Sequence, residues 1–199
     1  MPIREPLDDH ALDQIFREAR TYNGYLDKAV SEQQLHAIWE LMKMGPTSAN
    51  QLPARMIWCL SDDARERLAG HASEGNADKV RNAPAAVIIG MDENFHEHLP
   101  DLFPHADAKS WFEGDLEKRK ESAFRNSSLQ GAYFIIAARA LGLDTGPMSG
   151  FNAEAVNADF FGDTPHFKAN FISTLGYGDP ETLFERSPRP AFDRFNSVL

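Results

Sequence analysis

The chain has 199 residues, with 20 Lys+Arg against 30 Asp+Glu and a formal net charge of −10. This length reads as one domain, large enough to bury about 70% of its unfolded surface without a disulfide or metal staple. The acidic balance excludes nucleic-acid backbones and anionic membranes as the main partner.

The opening Met1-Pro2-Ile3-Arg4-Glu5 is polar and lacks the basic-then-apolar order of a secretory signal. No apolar stretch approaches the ~20 residues of a membrane-spanning helix, so a cytoplasmic protein is expected. Leu12, Ile15, Phe16 and Ala19 recur at helical spacing after Asp8 and Asp9 and mark a first amphipathic helix. Ser31 and Gln34 form a capping box ahead of Leu35, Ile38, Trp39 and Met42, and Gly45-Pro46 ends that helix. Arg55 to Leu60 reads as a strand whose lone cysteine, Cys59, is a small core residue in a reducing compartment. A short charged helix follows over Asp62 to Leu68, then an apolar strand over Ala85 to Gly90. Residues 91–116, mixed and aromatic, form an excursion that covers something. Leu116 to Leu141 is helical, and from Leu129 onward it is apolar on nearly every side apart from Gln130 and Arg139. Such a helix must be buried, in a monomer core or across a subunit boundary. Ala153 to Phe161 is a further helix, Phe171 to Tyr177 the last strand, and the tail carries Arg186, Arg189 and Arg194. Helices alternating with few strands give an α+β or α/β domain.

Several familiar sites are missing. The chain has no phosphate-binding P-loop motif. Gly176-Tyr177-Gly178 lacks the third glycine and the helix of a dinucleotide fingerprint. His96 and His98 have no evident third metal ligand, so no metal is expected. Ser149 does not sit in a G-x-S-x-G elbow.

What remains is a set of polar motifs at the ends of the predicted elements. Arg20-Thr21-Tyr22-Asn23-Gly24 offers an arginine, a hydroxyl and a carboxamide that can hold an anion and a polar ring edge, or simply closes a helix with a dipole-favoured cation and a turn. Gly45 to Pro53 is a loop of neutral donors and acceptors around Thr47, Ser48 and Asn50. Asn76 and Lys79 share a helix face. Gly146-Pro147-Met148-Ser149-Gly150-Phe151 reads as a tight turn whose backbone can approach a flat ligand. Arg186 and Arg189 are candidates for a discrete phosphate pocket.

In this order and spacing the motifs resemble the nitroreductase family of FMN flavoproteins, over nearly the whole chain. Gly45-Pro46-Thr47-Ser48-Ala49-Asn50, Leu102-Phe103-Pro104-His105, Ser110-Trp111-Phe112, Phe124-Arg125-Asn126-Ser127-Ser128 and Ala140 to Phe151 are most similar to its malonic semialdehyde reductase branch, from pyrimidine utilisation. The resemblance implies one α+β domain over residues 1–199, a mostly antiparallel sheet flanked by helices, and a homodimer with FMN at the subunit boundary. It implies that Arg20, Thr21 and Asn23 touch FMN, that Thr47, Ser48 and Asn50 reach it from the other subunit, and that Asn76 and Lys79 meet the ring's pyrimidine edge. Pro147, Ser149 and Gly150 match the turn beside the flavin N5, and Arg186 or Arg189 the phosphate cation of the tail. The chain departs from many relatives at Leu52 (Gln), Ser149 (Glu) and Asn23 (a cation), which bears on flavin potential and substrate choice.

The implied activity is reduction of a small substrate by NAD(P)H through FMN: malonic semialdehyde to 3-hydroxypropionate, with a broad nitro or quinone reductase and a non-catalytic flavin-binding protein as alternatives. For that substrate Arg125 is the candidate for the carboxylate, unless it merely pairs with Glu121. His105 or Ser149 is the candidate donor to the carbonyl oxygen.

Overall fold

The computed structural model describes residues 5–199, so most of the opening segment read as lacking a signal lies outside the described residues. The first helix, α1 (Asp9–Leu12), is capped by the Asp8 carboxylate and runs into a π-helical turn, Asp13–Arg17. It stops short of Ala19, freeing Ala19 to Asn23 to run in irregular chain. Helix α2 (Glu32–Met42) carries the Ser31–Gln34 capping box and buries Leu35, Ile38 and Met42.

Four strands follow the order β1-β2-β4-β3 and every pair is antiparallel: β1 (Ala54–Cys59), β2 (Ala85–Asp92), β3 (Asp144–Met148) and β4 (Phe167–Gly176). Side-chain alternation along β2 builds two cores. Ala85, Val87 and Ile89 face α2 and the long helix α6 (Leu116–Ala140). Ala86 and Ile88 face α3 (Asp62–His71), α4 (Glu74–Asn82) and α7 (Ala153–Phe160). Cys59 lies in this second core, fully buried, and burial pushes its thiol up to about 11, as suits an inert thiol. The excursion holds a third cluster, where Phe95 and Phe112 pack edge to face at 4.9 Å beside Ala123 of α6, with short α5 (Leu99–Leu102) among them. The tail ends in α8 (Phe192–Phe195), with no buried residue.

Two expectations need correction. Gly146, Pro147 and Met148 are not a tight turn but the second half of β3, paired with Thr174, Ser173 and Ile172. Glycine and proline are poor strand residues in general, but proline is tolerated on an edge strand, where its missing N–H costs no ladder bond. The last strand begins at Phe167 rather than Phe171, with an irregular register opposite Ile89 and Gly90.

Helix α6 approaches the sheet closely at Gly131, where an added Cβ would stand 2.4 Å from the Phe171 ring of β4. Gly131→Leu gains up to about 1 kcal/mol of helix propensity but overpacks this contact by about 1–3 kcal/mol, so the urea midpoint should fall. An unchanged or higher midpoint would show that Phe171 can swing aside.

Candidate functional site

The end of the π-helical turn, the C-terminal end of α6 and the tail converge on a cavity of about 330 Å³ lined by Arg20, Thr21, Asn23, Arg139, Arg186 and Arg189, among others. Backbone carbonyls hold the guanidinium groups in place. Arg139 Nη1 donates to Ile15 O at 3.0 Å, Arg186 Nη2 to Ala19 O at 3.1 Å, and Arg20 to Phe184 O. Gln14 Nε2 donates to Arg139 O at 2.7 Å, which ties the π-helical turn to the end of α6. Among the described residues none of the four arginines forms an ion pair with a carboxylate, in a chain with ten surplus negative charges. Burial pulls the Arg139 pKa below its ordinary value, with Asp144 opposing and Arg186 adding to the shift. Its Nε is buried with no partner. Clustered cations without carboxylate partners among the described residues, one of them partly desolvated with a spare buried donor, suit an anion.

Sequence reasoning brought Arg20, Thr21, Asn23, Arg186 and Arg189 to the site but missed Arg139, which reads as an interruption in an apolar helix. Its signal was available: an arginine in the last turn of a buried helix must find a carbonyl or an anion.

From this cavity β3 leads to a second polar group. Tyr22 N donates to Thr145 O at 3.3 Å, so the Arg20–Asn23 segment lies along the outer edge of β3. Thr145 Oγ1 is buried and unpartnered. Beyond the end of β3, Asn76 Nδ2 donates to Gly150 O at 3.1 Å, and a Cβ on Gly150 would fall 2.7 Å from Asn76 Nδ2 and from Ser73 Oγ. Lys79 lies in the last turn of α4, half-buried and without an ion pair among the described residues. Pro147 and Ser149 occupy the same end of β3, with Ser149 exposed.

The Thr47–Asn50 loop sits elsewhere. Ser48 N donates to Asn126 Oδ1 of α6 at 2.8 Å, and Asn50 Nδ2 donates to Leu102 O of α5 at 2.8 Å. Asn126 precedes Arg139 by thirteen helical residues, about 20 Å along α6.

The three substrate candidates are not joined by any hydrogen bond or ion pair. Arg125 pairs with Glu121 one turn earlier, both exposed, as its helical spacing allows. His105 is exposed and packs on Phe103 at 4.4 Å between centroids, and Trp111 also packs on Phe103, at 6.0 Å.

Residues 16–177 match the description of the nitroreductase family. A protein of Xanthomonas oryzae pv. oryzae named for NADH dehydrogenase/NAD(P)H nitroreductase activity is 58% identical over 191 residues, 96% of this chain and 97% of the relative. The fold is shared with a nitroreductase structure from Bacillus subtilis (TM-score 0.83, 22% identity, 96% of this chain and 99% of that one). It is shared too with an FMN complex of a nitroreductase from Exiguobacterium sibiricum (TM-score 0.82, 19% identity, 98% of this chain and 99% of that one). On its sequence match and its antiparallel α+β architecture alike, the chain belongs to the nitroreductase family.

Proposed function

We propose that the protein is an FMN-dependent oxidoreductase that uses NAD(P)H to reduce a small carbonyl compound, malonic semialdehyde to 3-hydroxypropionate, in the cytoplasm. The observation that carries this reading is the cavity of four arginines without ion pairs among the described residues, joined along β3 to the Asn76–Gly150 group. A nucleotide-like ligand with a phosphate at one end and a polar flat ring at the other fits this donor set. Arg20, Arg139, Arg186 and Arg189 would hold the phosphate, Thr21, Asn23 and Thr145 the polyol, and Asn76 with Lys79 the ring edge. Pro147, Ser149 and Gly150 would line the ring where no larger backbone neighbour fits. Bound there, FMN supplies hydride transfer between NAD(P)H and the acceptor, while the chain positions it and tunes its electronics.

Three observations support a homodimer. The chain exposes 11899 Å², against about 9,400 Å² for a folded monomer of its mass. Ile136 of α6 and Leu41 are exposed and line one shallow apolar cavity with Tyr133 and Ala140, and Leu129, two turns before Ile136, is exposed as well, an apolar face in need of cover. Leu129 and Ile136 are symmetric about Ala132–Tyr133, and so are Asn126 and Arg139. A two-fold axis crossing α6 there would pack this face against itself and set the Thr47–Asn50 loop of one copy toward the arginine end of the other.

For the substrate, Arg125 would take the carboxylate, and the His105 imidazole or the Ser149 hydroxyl would donate to the carbonyl oxygen. The competing Glu121 pair is exposed and worth about 0.3–0.5 kcal/mol, a weak obstacle. A broad NAD(P)H nitro or quinone reductase is the second reading, favoured by the name of the 58% identical relative.

Arg20→Ala and Arg139→Ala each remove a charge-assisted contact worth about 1.5–3 kcal/mol. Titration of the apoprotein should show FMN affinity falling about 10- to 100-fold and riboflavin affinity nearly unchanged; equal losses for both ligands would remove the phosphate from this cavity. Arg125→Gln should raise KM for malonic semialdehyde, and Glu121→Gln should lower it, with both leaving reduction of a neutral quinone unaffected. Equal effects on both acceptors would make Arg125 structural, and brisk quinone reduction without turnover of the semialdehyde would favour the second reading.

A further inference from the structure

Backbone strain is concentrated in one place. Among the described residues the only non-glycine positions with positive φ are Ala49 (48°), Asn50 (49°) and Leu52 (39°). Alanine and leucine do not adopt the left-handed region unless their surroundings over-determine it, and no glycine relieves the segment between Gly45 and β1. The strain falls in the loop that carries Thr47, Ser48 and Asn50.

The restraint comes from one face of α6, where Ser122, Asn126 and Gln130 recur every four residues. Gln51 Nε2 lies 3.0 Å from Ser122 Oγ, Ser48 N donates to Asn126 Oδ1 at 2.8 Å, and Ala54 N donates to Gln130 Oε1 at 2.8 Å. Gln51, Asn126 and Gln130 are almost fully buried, so water cannot replace these partners. Asn126 Nδ2 is fixed in turn on Ser122 O at 2.9 Å, which sets which carboxamide atom faces the loop. Within the loop, Leu52 N donates to Thr47 Oγ1 at 3.1 Å. Arg55 Nη1 donates to Leu52 O at 3.1 Å, and its Nη2 pairs with buried Asp92 at 2.6 Å. The ladder thus spans the loop from Ser48 to the start of β1, gripping backbone N–H groups at both ends and the Gln51 side chain between them.

We propose that Ser122, Asn126 and Gln130 are positioning residues that hold the Thr47–Pro53 loop in its strained form, leaving the Ser48 hydroxyl and the Asn50 carboxamide oxygen, neither partnered within the described residues, to meet the cofactor. The proposal rests on the reading that this loop reaches the FMN of a second copy. The cost of the left-handed backbone is met by α6 before any ligand arrives, so the loop is preorganised.

The test combines hydrogen exchange of the apoprotein with FMN titration. Asn126→Leu should abolish exchange protection of the Ser48 and Gln51 amides, leave the β2 and β4 amides protected, and weaken FMN about tenfold or more. Adding Ala49→Gly, which removes one left-handed penalty, should recover most of the FMN affinity, a rescue that a merely structural role for Asn126 would not show. Ser122→Ala, at a half-buried helical position that favours alanine, gives the same pattern at smaller amplitude if the leucine variant does not fold. Unchanged loop protection in the variants overturns the ladder's role. Lost protection with FMN affinity unchanged overturns instead the assignment of this loop to the cofactor. Affinity lost in proportion to thermal stability, with no glycine rescue, also overturns the proposal.

Discussion

The rigid seating of α6 on the sheet is the constraint from which the candidate site follows. Gly131 brings the helix backbone against Phe171, and Phe134, Ala137 and Ala138 complete the contact from the same core. A helix pinned at its middle has ends that cannot adjust independently. Asn126, which holds the strained loop, lies five residues before Gly131, and Arg139, which lines the arginine cavity, lies eight residues after it, at the helix's C-terminal end. Their separation is therefore fixed by helical rise, and the apolar stripe between them is what a second copy would cover. Stability and site construction use the same twenty-five residues.

The cavity shows how an acidic chain can still bind an anion. Most of its carboxylates are on the surface, several in exposed pairs such as Arg17–Asp9 and Arg81–Glu66. The arginines of the cavity are held by carbonyls, which orient a guanidinium without neutralising it. The Asp144 carboxylate, which accepts from Gly178 N at 2.9 Å, acts on Arg139 from nearby, and Glu185 also lines the cavity. Four arginines against these carboxylates still leave a positive excess for a ligand.

Much of the fold was legible in the sequence because it rests on local signals. The Ser31–Gln34 capping box, the helical periodicity of α2 and the unbroken apolar run of β2 appear where they were expected. β3 was not, because Gly146 and Pro147 carry turn chemistry that only the pairing with β4 overrides. For the candidate site, the motif order resembling the nitroreductase family pointed to the residues that the structure gathers in the arginine cavity and the Asn76–Gly150 group. Arg139 and the Ser122–Asn126–Gln130 ladder were hidden in the same way: each is a polar residue within a helix, and its role depends on a segment distant in sequence that packs against it.

In the proposed dimer, one functional site takes its phosphate cations from one copy and its loop from the other. Mixing flavin-free Arg139→Ala dimers with Asn50→Ala dimers, then exchanging subunits and counting bound FMN at limiting concentration, tests it directly. If the site is shared, each heterodimer contains one intact site and one doubly altered site, so high-affinity FMN binding should reappear in the mixture. If both groups serve the same chain, every site in the mixture carries one alteration. No recovery of binding after verified subunit exchange would contradict the account.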